Sequence, residues 1–200
     1  PAAEGVSTFY FKSQNSIYNS IDTFSIELSN PISNSCGINT WTGGTGLWSS
    51  ANNWSQNRVP TDCDSVVVSN ETDSILVDGS DIYLIKSLSN IGSVLITENA
   101  ELKVDNSADI GVNNFGHIQI EGILRIVNAP QVGYSGKISS SLVNNGQLIV
   151  NNSGDYGIRI NNGELTNSNL GSLLVQNSGI SNIHLLNNGN LLQLGYLLSK

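Results

Sequence analysis

Residues 144–163 read NNGQLIVNNSGDYGIRINNG. Two short aliphatic runs, 147–151 and 157–161, lie between Asn-Asn-Gly triplets. Within each run apolar and polar residues alternate, which is the period of a strand with one buried face. Asn and Gly are the residues that tolerate a left-handed backbone at a corner. The triplet recurs as Asn144-Asn145-Gly146, Asn161-Asn162-Gly163 and Asn187-Asn188-Gly189, with Asn113-Asn114-Phe115-Gly116 as a variant. The intervals are irregular, roughly 17 to 30 residues, as in coils of a solenoid with loops of varying length. We take Asn145, Gly146, Asn162, Gly163, Asn188 and Gly189 as repeat corners.

The same texture extends in both directions. Strand-like runs occur at 65–69, 74–78, 82–86, 93–97, 101–105, 117–121, 123–127, 172–176 and 182–186. No long i, i+3, i+4, i+7 stripe is present, and Asn and Gly interrupt every candidate helical window. Asn-Gly is also the signature of a two-residue hairpin, so an antiparallel β-sandwich or meander is the competing architecture. Hairpin strands should flank each Asn-Gly at matched length. Here only SSLV precedes Asn144, and 130–140 reads as irregular. A parallel β-helix over 65–200 is the preferred reading. Its corner Asn side chains are expected to hydrogen-bond along the stack.

Before the repeats, residues 41–60 read WTGGTGLWSSANNWSQNRVP and hold all three tryptophans of the chain. An indole buries up to ~250 Å² and still needs a partner for its N–H. Trp41, Trp48 and Trp54 therefore read as a cap over 36–64, shaped by Gly43, Gly44, Asn53 and Pro60. Cys36 and Cys63 bracket it. Oxidised, they would stabilise by roughly 3 kcal/mol in the chain-entropy model. Two free buried thiols are the alternative. Residues 1–35 form a separate region, with strand-like alternation at 8–13 and 23–29 and a linker over 29–37. We expect a strand segment or the end of a preceding domain there.

The formal charge is −8, with only 8 Lys and Arg in 200 residues, spread singly. Nucleic-acid binding needs clustered cations, as does an anionic membrane surface, so neither is expected. No run approaches the ~18 apolar residues of a membrane span. Solubility comes from neutral amides and hydroxyls. The chain has no Met, and its first residues lack a leader's basic and apolar regions. Processing or excision is expected, as is continuation of the repeats beyond residue 200.

The order Trp41-Thr42-Gly43-Gly44, Trp48, Asn53-Trp54, Val59-Pro60 and Asp64-Ser65-Val66-Val67-Val68 resembles an entry segment of large exported adhesin-like surface proteins of gram-negative bacteria. In that group, W-x-G-G…W…N-W…V-P caps a right-handed parallel β-helix. The G-x-L-x-V strands at 146–150 and 171–175 are similar as well. The resemblance covers residues 40–200. It implies an extracellular or cell-surface location and structural or adhesive work: attachment, or a rigid stalk. The expected partner is a cell-surface or glycan ligand, or self-association; a subunit of an extracellular fibre or appendage is the alternative. Ligand identity and oligomeric state stay open.

Some parallel β-helices are polysaccharide lyases and pectinases, so chemistry was weighed. A lyase needs a cation for the uronate and a base within reach. Lys103, Arg125 and Arg159 lie one per strand and read as outward, solubilising residues. A hydrolase needs two carboxylates across a sugar, and Asp155 and Glu164 are isolated. His117 reads as an exposed strand residue. No catalysis is expected, a polysaccharide-active enzyme being the last alternative. Asp62, Asp64, Glu71, Asp73, Asp78 and Asp81 gather near the cap. Ca²⁺ takes such oxygens, but Asp also favours turns. We expect no metal or other cofactor, with structural Ca²⁺ as the alternative. Tyr134, Tyr156 and Tyr196 read as loop residues, packed locally or stacked on sugars. Thr166 is the only threonine beyond residue 100, which argues against the Thr rows of an ice-binding face.

Overall fold

The computed structural model describes residues 35–199, and the expected strands at 8–13 and 23–29 lie outside them. Strands succeed one another in threes. β1 (Ile38–Thr40) and β2 (Thr45–Leu47) open an incomplete first coil. The second coil holds β3 (Ser65–Val68), β4 (Ser74–Val77) and β5 (Ile82–Ile85); the third holds β6 (Ser87–Asn90), β7 (Ser93–Ile96) and β8 (Glu101–Asp105). β9 (Ile110–Asn114), β10 (His117–Ile120) and β11 (Ile123–Ala129) follow, then β12 (Val132–Gly136), β13 (Ser141–Asn144) and β14 (Gln147–Ser153). The last two coils are β15 (Tyr156–Asn161), β16 (Glu164–Asn167) and β17 (Ser172–Ser178), then β18 (Ser181–Leu186), β19 (Asn190–Gln193) and β20 (Tyr196–Ser199).

Every third strand pairs with the next, giving three sheets: β1-β3-β6-β9-β12-β15-β18, β2-β4-β7-β10-β13-β16-β19 and β5-β8-β11-β14-β17-β20. All strand ladders among the described residues are parallel. The protein is a parallel β-helix of about 7 turns. The antiparallel sandwich or meander is overturned, because a hairpin would pair successive strands and here none do.

Alternation explains the interior. In β7, β10 and β14 the second and fourth residues are buried. Stacking then aligns like with like. Leu102, Leu124, Leu148 and Leu173 form one column, and Val104, Ile126, Val150 and Val175 another. Full burial of each such side chain stabilises by roughly 1.5–3 kcal/mol.

The coil length also explains the irregular triplets. Ser93 lies beside His117 and His117 beside Ser141, 24 residues at each step. Asn144-Asn145-Gly146 turns from the second sheet to the third, whereas the triplets at 161 and 187 turn from the first to the second. They are different corners.

Two readings need correction. Of the six proposed corner residues only Asn162 has a left-handed backbone, φ 61°. The glycines are needed for closeness instead. A Cβ on Gly146 would meet the Gly122 carbonyl oxygen at 2.2 Å, and Gly163 and Gly189 are similarly crowded. Left-handed residues form their own rows: Asn106, Asn128, Asn152 and Asn177 between the third and first sheets, and Ser139, Asn162 and Asn187 between the first and second. Second, 130–140 is not irregular. It contains β12, whose VGYSG lacks an aliphatic run because a Cβ on Gly133 would strike Val150 at 2.4 Å.

Candidate functional site

The three indoles are all buried. Trp54 sits between the other two, edge-on, with ring centroids 5.0 Å from Trp41 and 4.7 Å from Trp48. This is the favoured arrangement for aromatic quadrupoles. Trp48 also lies 6.0 Å from Tyr83 of β5. Trp41 and Trp54 form an isolated antiparallel bridge outside the named strands. Thr42 N donates to Asn53 O, and Ser55 N to Thr40 O, both at 2.8 Å. The cluster joins the coils through Trp41 N to Val67 O and Trp48 N to Leu76 O, each 2.8 Å.

The indole N–H groups differ. Trp41 Nε1 donates to Gly44 O at 2.9 Å and Trp54 Nε1 to Trp48 O at 2.8 Å. Trp48 Nε1 is buried without a partner, against the expectation that each indole finds one. Gly43 and Gly46 both pack against Asn53, whose Nδ2 donates to Leu47 O at 3.1 Å; a Cβ on Gly43 would meet Asn53 Oδ1 at 2.7 Å. Gly44 has φ +63°. Pro60 is buried. Cys36 and Cys63 are joined by a disulfide, Cα atoms 5.1 Å apart.

Sequence reasoning missed the polar centre of this segment. The Asp64 side chain is fully buried and Arg58 nearly so. Arg58 grips the carboxylate with both terminal nitrogens, Nη2 to Oδ1 at 2.8 Å. Thr61 N donates to Oδ2 at 2.8 Å, and Gly37 N to Oδ1 at 3.3 Å. Burial pushes the Asp64 pKa up, but the hydrogen bonds from Arg58 and Thr61 outweigh it and hold the carboxyl below its usual range. The only signal was an Arg six residues before an Asp, too common to single out.

Asn stacking takes two forms. Inside, Asn90 Nδ2 donates to Asn114 Oδ1 at 2.9 Å, and Asn144 Nδ2 to Asn167 Oδ1 at 2.6 Å. The buried residue of that triplet is thus Asn144; Asn145 reaches Glu121 instead. Outside, Asn152 Nδ2 donates to Asn128 Oδ1 at 2.6 Å. Tyr134 is no loop residue. It is fully buried, its hydroxyl accepts from Asn114 Nδ2 at 3.0 Å, and burial raises its pKa.

The residues weighed for chemistry are dispersed. Lys103 and Arg125 are register neighbours on the third sheet. Lys103 pairs with Asp105 at 2.8 Å and Arg125 with Glu101 at 2.7 Å. His117 is half-buried, its Nδ1 2.6 Å from Ser141 Oγ. Among the cap acids, Asp64 belongs to the ion pair and Asp78 accepts from Ser49 Oγ at 2.8 Å. Among the described residues no three His, Cys, Asp or Glu come together as metal ligands, and no helix is long and apolar enough to cross a membrane. Compared with known proteins, the chain matches no protein-family model, no curated protein and no solved structure.

Proposed function

We propose that the chain is a rigid segment of an exported, cell-surface protein whose work is structural or adhesive, holding an attachment surface rather than catalysing a reaction. The observation that carries this reading is the unbroken in-register stack, closed on its N-terminal side by indoles and a disulfide. Seven coils at the strand spacing of about 4.8 Å extend roughly 34 Å. Such a stack is stiff because bending it must open ladders on one side. A disulfide persists in oxidising surroundings. The likeness of 41–68 to the entry segment of adhesin-like proteins supports the same reading.

The test immobilises the full chain and screens glycans and host-cell surfaces for retention, alongside assays for polysaccharide cleavage. Retention without product release supports the reading. Turnover of any glycan overturns it.

A further inference from the structure

The cations are unevenly used. Arg58, Lys103 and Arg125 each engage a carboxylate. Among the described residues Lys137 and Arg159, like Lys86, join no ion pair, although the chain carries a net charge of −8. Lys137 and Arg159 are brought together at the edge of the first sheet, Lys137 just past the end of β12. Arg159 of β15 lies in register beside Ser135 of β12, and Lys137 follows two residues after Ser135. Partial burial, and then repulsion from Arg159, lower the Lys137 pKa. Two like charges held side by side in an acidic protein are destabilising unless an anion joins them.

The surroundings are equally specific. His184 continues the Asn113–Ser135–Arg159 row in β18. Its ring stacks on Tyr156, centroids 4.7 Å apart and planes 29° apart. The Arg159 guanidinium carbon lies 5.8 Å from the Tyr156 centroid. Buried polar atoms without partners collect in this same row: Asn113 Oδ1, Ser135 Oγ and His184 Nδ1. Ser135 is only 1% exposed. Nearby Asp155 forms no ion pair with either cation.

We propose that this row is a binding site for an acidic sugar, its carboxylate held across Lys137 and Arg159 and its ring against the Tyr156–His184 pair. Arg presents a planar fork that matches a carboxylate. The stacked rings offer an amphipathic surface to a sugar's C–H face. A flexible acidic peptide would use the cations but not the rings. The proposal gives the attachment reading a ligand class and rests on it for the glycan's being the natural anion.

The experiment titrates the 200-residue chain with galacturonate oligomers, their methyl esters, a sulfated glycan and polyglutamate, following binding by calorimetry. We expect the free-acid oligomer to bind and the ester to fail. Arg159→Gln and Lys137→Gln should each weaken binding about tenfold without lowering the melting temperature, whereas Lys86→Gln, outside the row, should leave binding intact. Equal binding by Arg159→Gln, by the ester, or by polyglutamate overturns the proposal, as does preference for the sulfated glycan. If no uronate binds while the chain is retained on another glycan, this inference fails and the attachment reading stands. If the oligomer binds and is cleaved, the site stands and the non-catalytic reading falls.

Discussion

The tryptophan-rich segment, 36–64, and the coils that follow are stabilised in opposite ways. In the cap every contact is unique: edge-on indoles, a buried Arg58–Asp64 pair, one disulfide. In the coils every contact is a copy. Leu102, Leu124, Leu148 and Leu173 do the same thing four times. Repetition suffices where each coil has a neighbour on both sides, since the ladder satisfies the backbone and the column fills the interior. Among the described residues the first coil has no coil beneath it and contributes no strand to the third sheet. A loss in the middle of the stack is therefore shared, while a loss in the cap has no substitute.

The comparison can be broken by substitution, beginning with the largest expected effect. Trp54→Ala removes the ring that touches both other indoles and should cost about 3–5 kcal/mol, the range for buried aromatic truncations. Melting equal to the parent's would end the cap account. Asp64→Asn leaves Arg58 buried without its charge partner and should cost a similar about 3–5 kcal/mol in urea unfolding. The sign with pH follows from the depressed Asp64 pKa. The pair stabilises above the ordinary carboxylate value of about 4, and that contribution is lost as pH falls through the lower folded value. Acid unfolding followed by tryptophan fluorescence should accordingly lose its low-pH step in the variant.

Smaller effects sharpen the contrast. Reduction of Cys36–Cys63 should lower stability by roughly 3 kcal/mol, with hydrogen exchange rising first in 36–64. Ile126→Val, in a middle coil, should cost only about 1 kcal/mol. A cost matching that of Trp54→Ala would show the stack to be as intolerant as the cap. Glu101→Gln breaks a half-exposed pair with Arg125 and should change stability by about 0.5 kcal/mol or less. A larger shift would make the surface pairs part of what holds register.

Much of the fold could be read directly. Period-2 alternation at 93–97, 117–121, 123–127 and 147–151 gave the buried faces, because a side chain's side of a strand follows from local geometry alone. β12 could not be read this way. Its Gly133 and Gly136 look like turn residues, and the reason for glycine at 133 lies far along the chain: the Val150 side chain across the same coil and the Gly157 carbonyl in the next. The same holds at Gly146, where the obstructing atoms belong to Glu121 and Gly122. Asn144, not Asn145, is the inward amide because the strand extends through it before the corner begins.

The all-β class and the inward faces of the strands were legible in the sequence alone, since these depend on neighbours within a few positions. Only the tertiary structure decided which coil lies on which. That choice sets the interior Asn pairs and the meeting of Lys137, Arg159, His184 and Tyr156. Residues about 24 apart become neighbours only once the number of residues per coil is fixed. That number is set by loops whose lengths carry no periodic signal of their own.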